Sequence, residues 1–105
     1  QEAIHFIAYI NDQPVGTCRY RITDKGIKLE RFAVIKEQRG SGVGKRLVQT
    51  ALGHIEKKAH PSGTSLYLHA QLAAMPLYTR FGFEKIGELF EEAGIDHFEM
   101  QKKVG

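Results

Sequence analysis

Between Arg39 and Val48 the chain changes its period, and no other feature restricts its fold as much. Upstream of this stretch apolar residues alternate every second position, and downstream they recur every third or fourth. Three upstream strands are expected. Ala3–Ile10 is apolar and β-branched, "NDQP" makes a turn, and Val15–Ile22 follows with Thr17, Arg19 and Arg21 alternating with Cys18, Tyr20 and Ile22. "TDKG" turns again into a third strand, Ile27–Ile35. Downstream, Val43, Leu47, Val48, Ala51, Leu52, Ile55 and Ala59 fall on one face of a helix reaching about Lys58. Lys45, Arg46, Gln49, Glu56 and Lys57 fall on its other face, and "HPSG" ends it. Ser65–Ala70 reads as a strand, Ala73–Phe81 as a short helix and Gly82 as its cap. Phe83–Ile86 and Asp96–Lys102 read as closing strands joined by the acidic bend "GELFEEAG". A strand–helix–strand passage inside a mostly antiparallel meander predicts an α+β (mixed α/β) domain.

The whole-chain properties narrow the function. With 105 residues and no linker or repeat, residues 1–105 are expected to form one domain. The single cysteine, Cys18, excludes an internal disulfide and fits a reducing, cytoplasmic setting. It reads as a small buried hydrophobe. No apolar run approaches the ~20 residues of a membrane span. A net charge of +3 favours an anionic ligand but is weak support for nucleic acid, as no aromatics interleave with the basic loop residues. No spacing of His, Cys or carboxylates suggests a metal site. The chain opens on Gln1 and runs at once into a strand, so an upstream segment is expected to precede it.

"RGSGVGKRLV" has the look of a phosphate loop, and the known templates can be tested against it. A Walker loop needs G-x-x-x-x-G-K followed by Ser or Thr. Gly44-Lys45 fits its end, but Arg39 stands at the first glycine and Arg46 at the hydroxyl. A dinucleotide fingerprint needs G-x-G-x-x-G, whereas Gly40, Gly42 and Gly44 are spaced G-x-G-x-G, and the next strand, "SLYLHA", carries no acid. What remains is R-x-x-G-x-G, carried by Arg39, Gly42 and Gly44. Glycines let the backbone approach a pyrophosphate, the first amides of the helix are unpaired, and the helix dipole adds positive potential. Read alone, the loop also fits a tight turn with solvated basic residues.

"LERFAVIKEQRGSGVGKRLVQTAL" resembles the acetyl-CoA-binding segment of the GNAT superfamily of N-acetyltransferases, in which a strand leads through R-x-x-G-x-G into the main helix. Downstream, "QLAAMPLYTRFGF" is similar to the family pattern N-x-x-A-x-x-x-Y-x-x-x-G-F. Ala74, Tyr78, Gly82 and Phe83 stand in place, and Gln71 replaces the Asn. The ending "EEAGIDHFEM" resembles a subgroup of small bacterial members that close with G-I-x-H-x-x-M. The resemblance spans essentially the whole chain.

It implies a mostly antiparallel sheet with a splayed parallel pair, Leu29–Ile35 and Ser65–Ala70, and two helices. The pantetheine arm of acetyl-CoA would lie in the splay against backbone at Val34. The pyrophosphate would sit on Arg39, Gly40, Ser41, Gly42, Val43, Gly44 and Lys45, and Gln71 would offer its amide to the arm. Tyr78 would act as general acid toward the leaving thiol, and Glu30 is the candidate general base. His69 and His97 are alternatives, and His97, which belongs to the subgroup-like ending, is also a candidate for contacting the acceptor amine. Family members usually begin with one more strand and one or two helices that build much of the acceptor pocket. Without them acetyl-CoA binding would outlast acceptor binding, and the strand Ala3–Ile10 would be a bare edge through which two copies of the chain could pair. An acyl-CoA-binding module without catalysis is the alternative to an N-acetyltransferase.

Overall fold

A computed structural model describes residues 3–58 and 60–104 of the chain. The three-strand meander forms as β1 (Ala3–Ile10), β2 (Gln13–Thr23) and β3 (Gly26–Val34). The first turn is tighter than "NDQP" suggests. Only Asn11 and Asp12 leave the strands, both with positive φ (50° and 65°), and Gln13 and Pro14 already belong to β2. This is the two-residue hairpin geometry that Asn and Asp tolerate best.

After a 3-10 turn at Lys36–Gln38, α1 runs from Val43 to Glu56. Val43, Leu47, Val48, Ala51, Leu52 and Ile55 are buried, as their helical spacing demands. Ala59, assigned to the same stripe by its spacing, lies outside the described residues. β4 (Thr64–Gln71) follows, and then a 3-10 turn at Leu72–Ala74 leads into α2 (Met75–Thr79). The short helix is therefore split where the sequence suggests one piece from Ala73 to Phe81. The expected acidic bend is mostly strand: β5 runs from Glu84 to Glu92 and turns through Ala93 and Gly94 into β6 (Ile95–Val104). Its register slips between Ile86 and Phe90, where β5 advances four residues against two of β6, so no simple alternation marks it.

The six strands form one sheet in the order β1-β2-β3-β4-β6-β5, with β3–β4 parallel and every other pair antiparallel. Both helices lie on one face: a Cβ added to Gly44 of α1 would stand 3.7 Å from Leu77 of α2. Under them Cys18, Tyr20, Ile27, Leu29, Leu66, Leu68, Ala70 and Met100 complete the core with the α1 stripe. The close fit of α1 on β2 requires Gly16, whose added Cβ would meet Val43 Cγ1 at 2.9 Å. The opposite face carries Arg19, Arg21 and Lys28, ion-paired to Glu30, and separately His69 beside Glu99. Among the described residues no helix is long and apolar enough to cross a membrane.

Candidate active site

The site begins with a strand pair that stops pairing. β3 and β4 share only Ile27↔Leu66 and Lys28↔Tyr67, whereas β4 pairs with β6 along its whole length, from Thr64↔Val104 to Gln71↔His97. From Leu29 onward the edges of β3 and β4 separate and leave a slit through the sheet. A bulge helps to open it. Thr17 pairs with Ala33 but Arg19 with Glu30, so β3 holds one extra residue, and Arg31 takes a φ of 60°. The left-handed region is unfavourable for a residue with a Cβ, by about 1–2 kcal/mol. The extra residue also reverses the alternation, so that Phe32 and Val34, rather than residues 31 and 33, pack toward the core.

Tyr78 stands at the helix-side mouth of this slit. Its ring is buried between Phe32, edge-on at 5.7 Å, and Phe83, edge-on at 6.1 Å. The hydroxyl makes no hydrogen bond among the described residues, yet it is not a sealed orphan, so it opens onto solvent-accessible space. Burial pushes the phenol well above its ordinary range, and the neighbouring Cys18 adds to the rise. Burial likewise pushes the Cys18 thiol up to about 12, which makes it an inert core residue.

At the far end of β3 the loop 39–45 leads into α1. Gly40 and Gly42 hold φ of 83° and 94°, and a Cβ at either would meet nothing within 4 Å. The helix has no side-chain cap; the first intrahelical bond runs from the Arg46 amide to the Gly42 carbonyl. The amides of Val43, Gly44 and Lys45 thus precede the ladder and face outward. Ser41 is turned back, its amide and hydroxyl both donating to the Gln38 carbonyl. Arg39 donates from Nε to the Val34 carbonyl at 3.2 Å, tying the end of β3 to the loop. Lys45 and Arg46 are exposed beside it. The arrangement fits a pyrophosphate attached to an extended arm: open glycines, free amides and basic side chains stand at the end of an unpaired strand edge. A concavity of about 650 Å³ on the other side of α1, between it and β1, shares Ser41, Gly42, Lys45 and Arg46 with the loop.

The face of the sheet away from the helices holds the remaining candidates. Glu30 is engaged by Arg19 at 2.6 Å, Arg21 at 2.9 Å and Lys28 at 3.7 Å. Burial alone would raise its pKa, but hydrogen bonds from Arg21 and Arg19, with their charge, hold the carboxyl below its usual range. Gln71 is exposed at the end of β4, opposite His97 in register. His97 is buried, with Nδ1 2.7 Å from the Ile95 carbonyl, and its ring stacks on Phe90 at 5.8 Å. Pattern alone missed the surroundings of His69. Its Nδ1 lies 3.0 Å from Glu92, its Nε2 3.7 Å from Glu99, and Phe90 is edge-on at 5.1 Å. These partners come from β5 and β6, and only the strand order brings them to β4. Among the described residues no three His, Cys, Asp or Glu side chains cluster as metal ligands would.

Residues 1–104 match the sequence profile of the acetyltransferase (GNAT) domain. The chain is 38% identical over 103 residues to an uncharacterized N-acetyltransferase of Bacillus subtilis, YjcF, covering 96% of this chain and 71% of that protein. Its backbone is similar to the crystal structure of Escherichia coli ElaA, with a TM-score of 0.84 at 27% identity, covering 98% of this chain and 70% of the other. A GNAT family acetyltransferase from Elizabethkingia anophelis, crystallised with acetyl-CoA bound, shares the fold at 17% identity, with a TM-score of 0.76 over 95% of this chain and 75% of that one.

Proposed function

The chain belongs to the GNAT acetyltransferases, enzymes whose acyl donor is acetyl-CoA, and from that premise we propose that it acetylates a primary amine of a small molecule or protein by direct transfer. The observation that carries this reading is the slit. It passes through the sheet with Tyr78 at its helix-side mouth and a charged, helix-free face at the other. A donor and an acceptor entering from opposite sides need no covalent enzyme intermediate, and the single cysteine, Cys18, is held protonated by burial.

In this reading the amides of Gly40, Gly42, Val43, Gly44 and Lys45, with the side chains of Lys45 and Arg39, hold the pyrophosphate, while Ser41, turned back onto Gln38, shapes the loop. The open edge of β3 toward Val34 pairs with the pantetheine arm as a strand would. Gln71 offers its side-chain amide from the opposite wall. Bound acetyl-CoA supplies a thioester, whose carbonyl is the electrophile and whose sulfur is the leaving group. Tyr78 acts on that sulfur. Its phenol stays protonated across the neutral range, so the donor is always available. Because it is a weaker acid than a free thiol (pKa ~8.5), complete transfer to a thiolate is uphill. Tyr78 therefore shares its proton while the carbon–sulfur bond breaks, and the nitrogen of the acceptor replaces it.

Glu30, surrounded by three cations, is a poor proton acceptor at neutral pH. We give it an electrostatic role, fixing Arg19 and Arg21 beside the slit. His97 and Gln71 stand together at the end of the open region, where His97 would contact the acceptor. The buried thiol suits a cytoplasmic setting. Calorimetric titration with acetyl-CoA followed by a transfer screen over primary amines tests the reading. Binding with transfer supports it, binding without transfer to any amine favours a non-catalytic acyl-CoA module, and failure to bind any coenzyme A species overturns it.

A further inference from the structure

We infer that His69, held between Glu92 and Glu99, takes the proton from the acceptor ammonium, an assignment that rests on the acetyltransfer reading above. The register gives the position. Counting from the last parallel pair, Lys28↔Tyr67, two residues along each strand bring Glu30 and His69 to facing places. Both lie at the vertex of the slit, on the face away from the helices. Their surroundings are opposite in sign. Glu30 meets Arg19, Arg21 and Lys28. His69 meets Glu92 from β5 and Glu99 from β6, with Tyr67 on its own strand and with Phe90, which separates it from His97. Glu99 also holds Lys25, at 2.6 Å. A proton arriving at this vertex is therefore repelled from one wall and attracted to the other.

The ring is set up for the task. With Nδ1 3.0 Å from a Glu92 oxygen, the neutral imidazole places its hydrogen there and its lone pair on Nε2. A proton taken up at Nε2 faces the Glu99 carboxylate, 3.7 Å away. The side chain is 24% exposed and Glu92 51%, so this edge is reachable and presents an anionic rim to a cation. The substrate class that needs such a site is an alkylamine. At a pKa of ~10.4, only about one molecule in a few thousand is free base at pH 7. In the step, the ammonium gives one proton to Nε2, and the freed lone pair attacks the thioester carbonyl carbon. The carbon–sulfur bond breaks with its electron pair on sulfur, which takes the Tyr78 proton. The second proton of the new amide nitrogen restores Tyr78 through water, and His69 returns its proton to solvent. The sum is one amide, one thiol and one released proton.

The test uses His69→Gln and Glu92→Gln in the full chain, with benzylamine, spermidine and lysine methyl ester as alkylammonium acceptors and aniline as an acceptor already neutral at pH 7. For His69→Gln, the ratio of the alkylamine rate to the aniline rate at pH 7 is expected to fall about a hundredfold or more. That ratio recovers as pH is raised and free alkylamine accumulates, with acetyl-CoA affinity and melting temperature unchanged. Glu92→Gln lowers the ratio in the same direction by a smaller factor. A readout independent of turnover is the long-range 1H–15N spectrum of the free protein, which is expected to show the Nδ1–H tautomer in the native chain and its loss in Glu92→Gln. An unchanged ratio in His69→Gln, or an Nε2–H tautomer in the native chain, overturns the assignment while leaving acetyltransfer standing. A native chain that binds acetyl-CoA and acetylates none of the four amines overturns the transfer reading, and the assignment with it.

Discussion

The two edges of β4 differ. On one side all eight residues, Thr64 to Gln71, pair with β6; on the other only Leu66 and Tyr67 pair with β3. The same strand thus closes the fold along one edge and opens a slit along the other. Unpaired backbone groups beside a packed core are unfavourable unless water or a ligand satisfies them. An edge left open in the middle of a sheet, with its neighbour bent away by a bulge at Arg31, is therefore a place for an extended ligand. The contrast separates residues whose loss should unfold the chain from residues whose loss should only silence it.

The largest expected effect is on the open side. Tyr78→Phe should lower turnover by roughly a hundred- to ten-thousand-fold, with acetyl-CoA affinity by calorimetry and thermal stability nearly unchanged, because the hydroxyl has no hydrogen-bond partner among the described residues to lose. Unchanged turnover would remove Tyr78 from the chemistry. On the closed side, Leu68→Ala empties a side chain that is 2% exposed beneath the helices. It should cost about 2–5 kcal/mol in denaturant melts, and a loss of activity should track unfolding rather than precede it.

Gly16→Ala crosses the divide. The new methyl would press on Val43 Cγ1 at 2.9 Å and Leu47 Cδ1 at 3.1 Å, the first turns of α1. The expected cost is about 1–3 kcal/mol, with weaker acetyl-CoA binding in the surviving folded protein, because the pressed turn carries the loop amides.

The smallest effect is electrostatic and depends on pH. The folded-state pKa of Glu30 is lowered, so its ion pairs stabilise the chain above the ordinary carboxylate value and lose that contribution as pH falls through the lowered one. Glu30→Gln should reduce stability by about 1 kcal/mol at neutral pH. The gap from the native chain should shrink only below about pH 4.3. A gap that grows on acidification would contradict the ion-paired state.

These regions were not equally legible in the amino-acid sequence. The stripe Val43, Leu47, Val48, Ala51, Leu52 and Ile55 predicts its own burial, because one helix on one sheet face leaves a single periodic solution. The loop and Tyr78 stand out as candidates because glycine spacing and an aromatic at a fixed offset are local signals. β5 was hidden: it is an edge strand, largely exposed, and its register slip at Ile86/Phe90 breaks the alternation. The slit was hidden too, since it depends on where two strands stop pairing and on one extra residue in β3, which composition does not record. The contrast between Glu30 and His69 is the least local feature of all. Arg19 and Arg21 stand within sequence reach of Glu30, but Glu92 and Glu99 reach His69 only because β6 inserts between β4 and β5.

Amide hydrogen exchange with and without acetyl-CoA reads both edges of β4 in one sample and so shows whether the open edge is where acetyl-CoA binds. New protection is expected in the unpaired stretch of β3 from Leu29 to Val34 and in Gly40 to Lys45, with little change in the already protected β4–β6 ladder. Binding of acetyl-CoA that leaves those two stretches as exposed as before, and protects another part of the sheet instead, would contradict binding at the open edge.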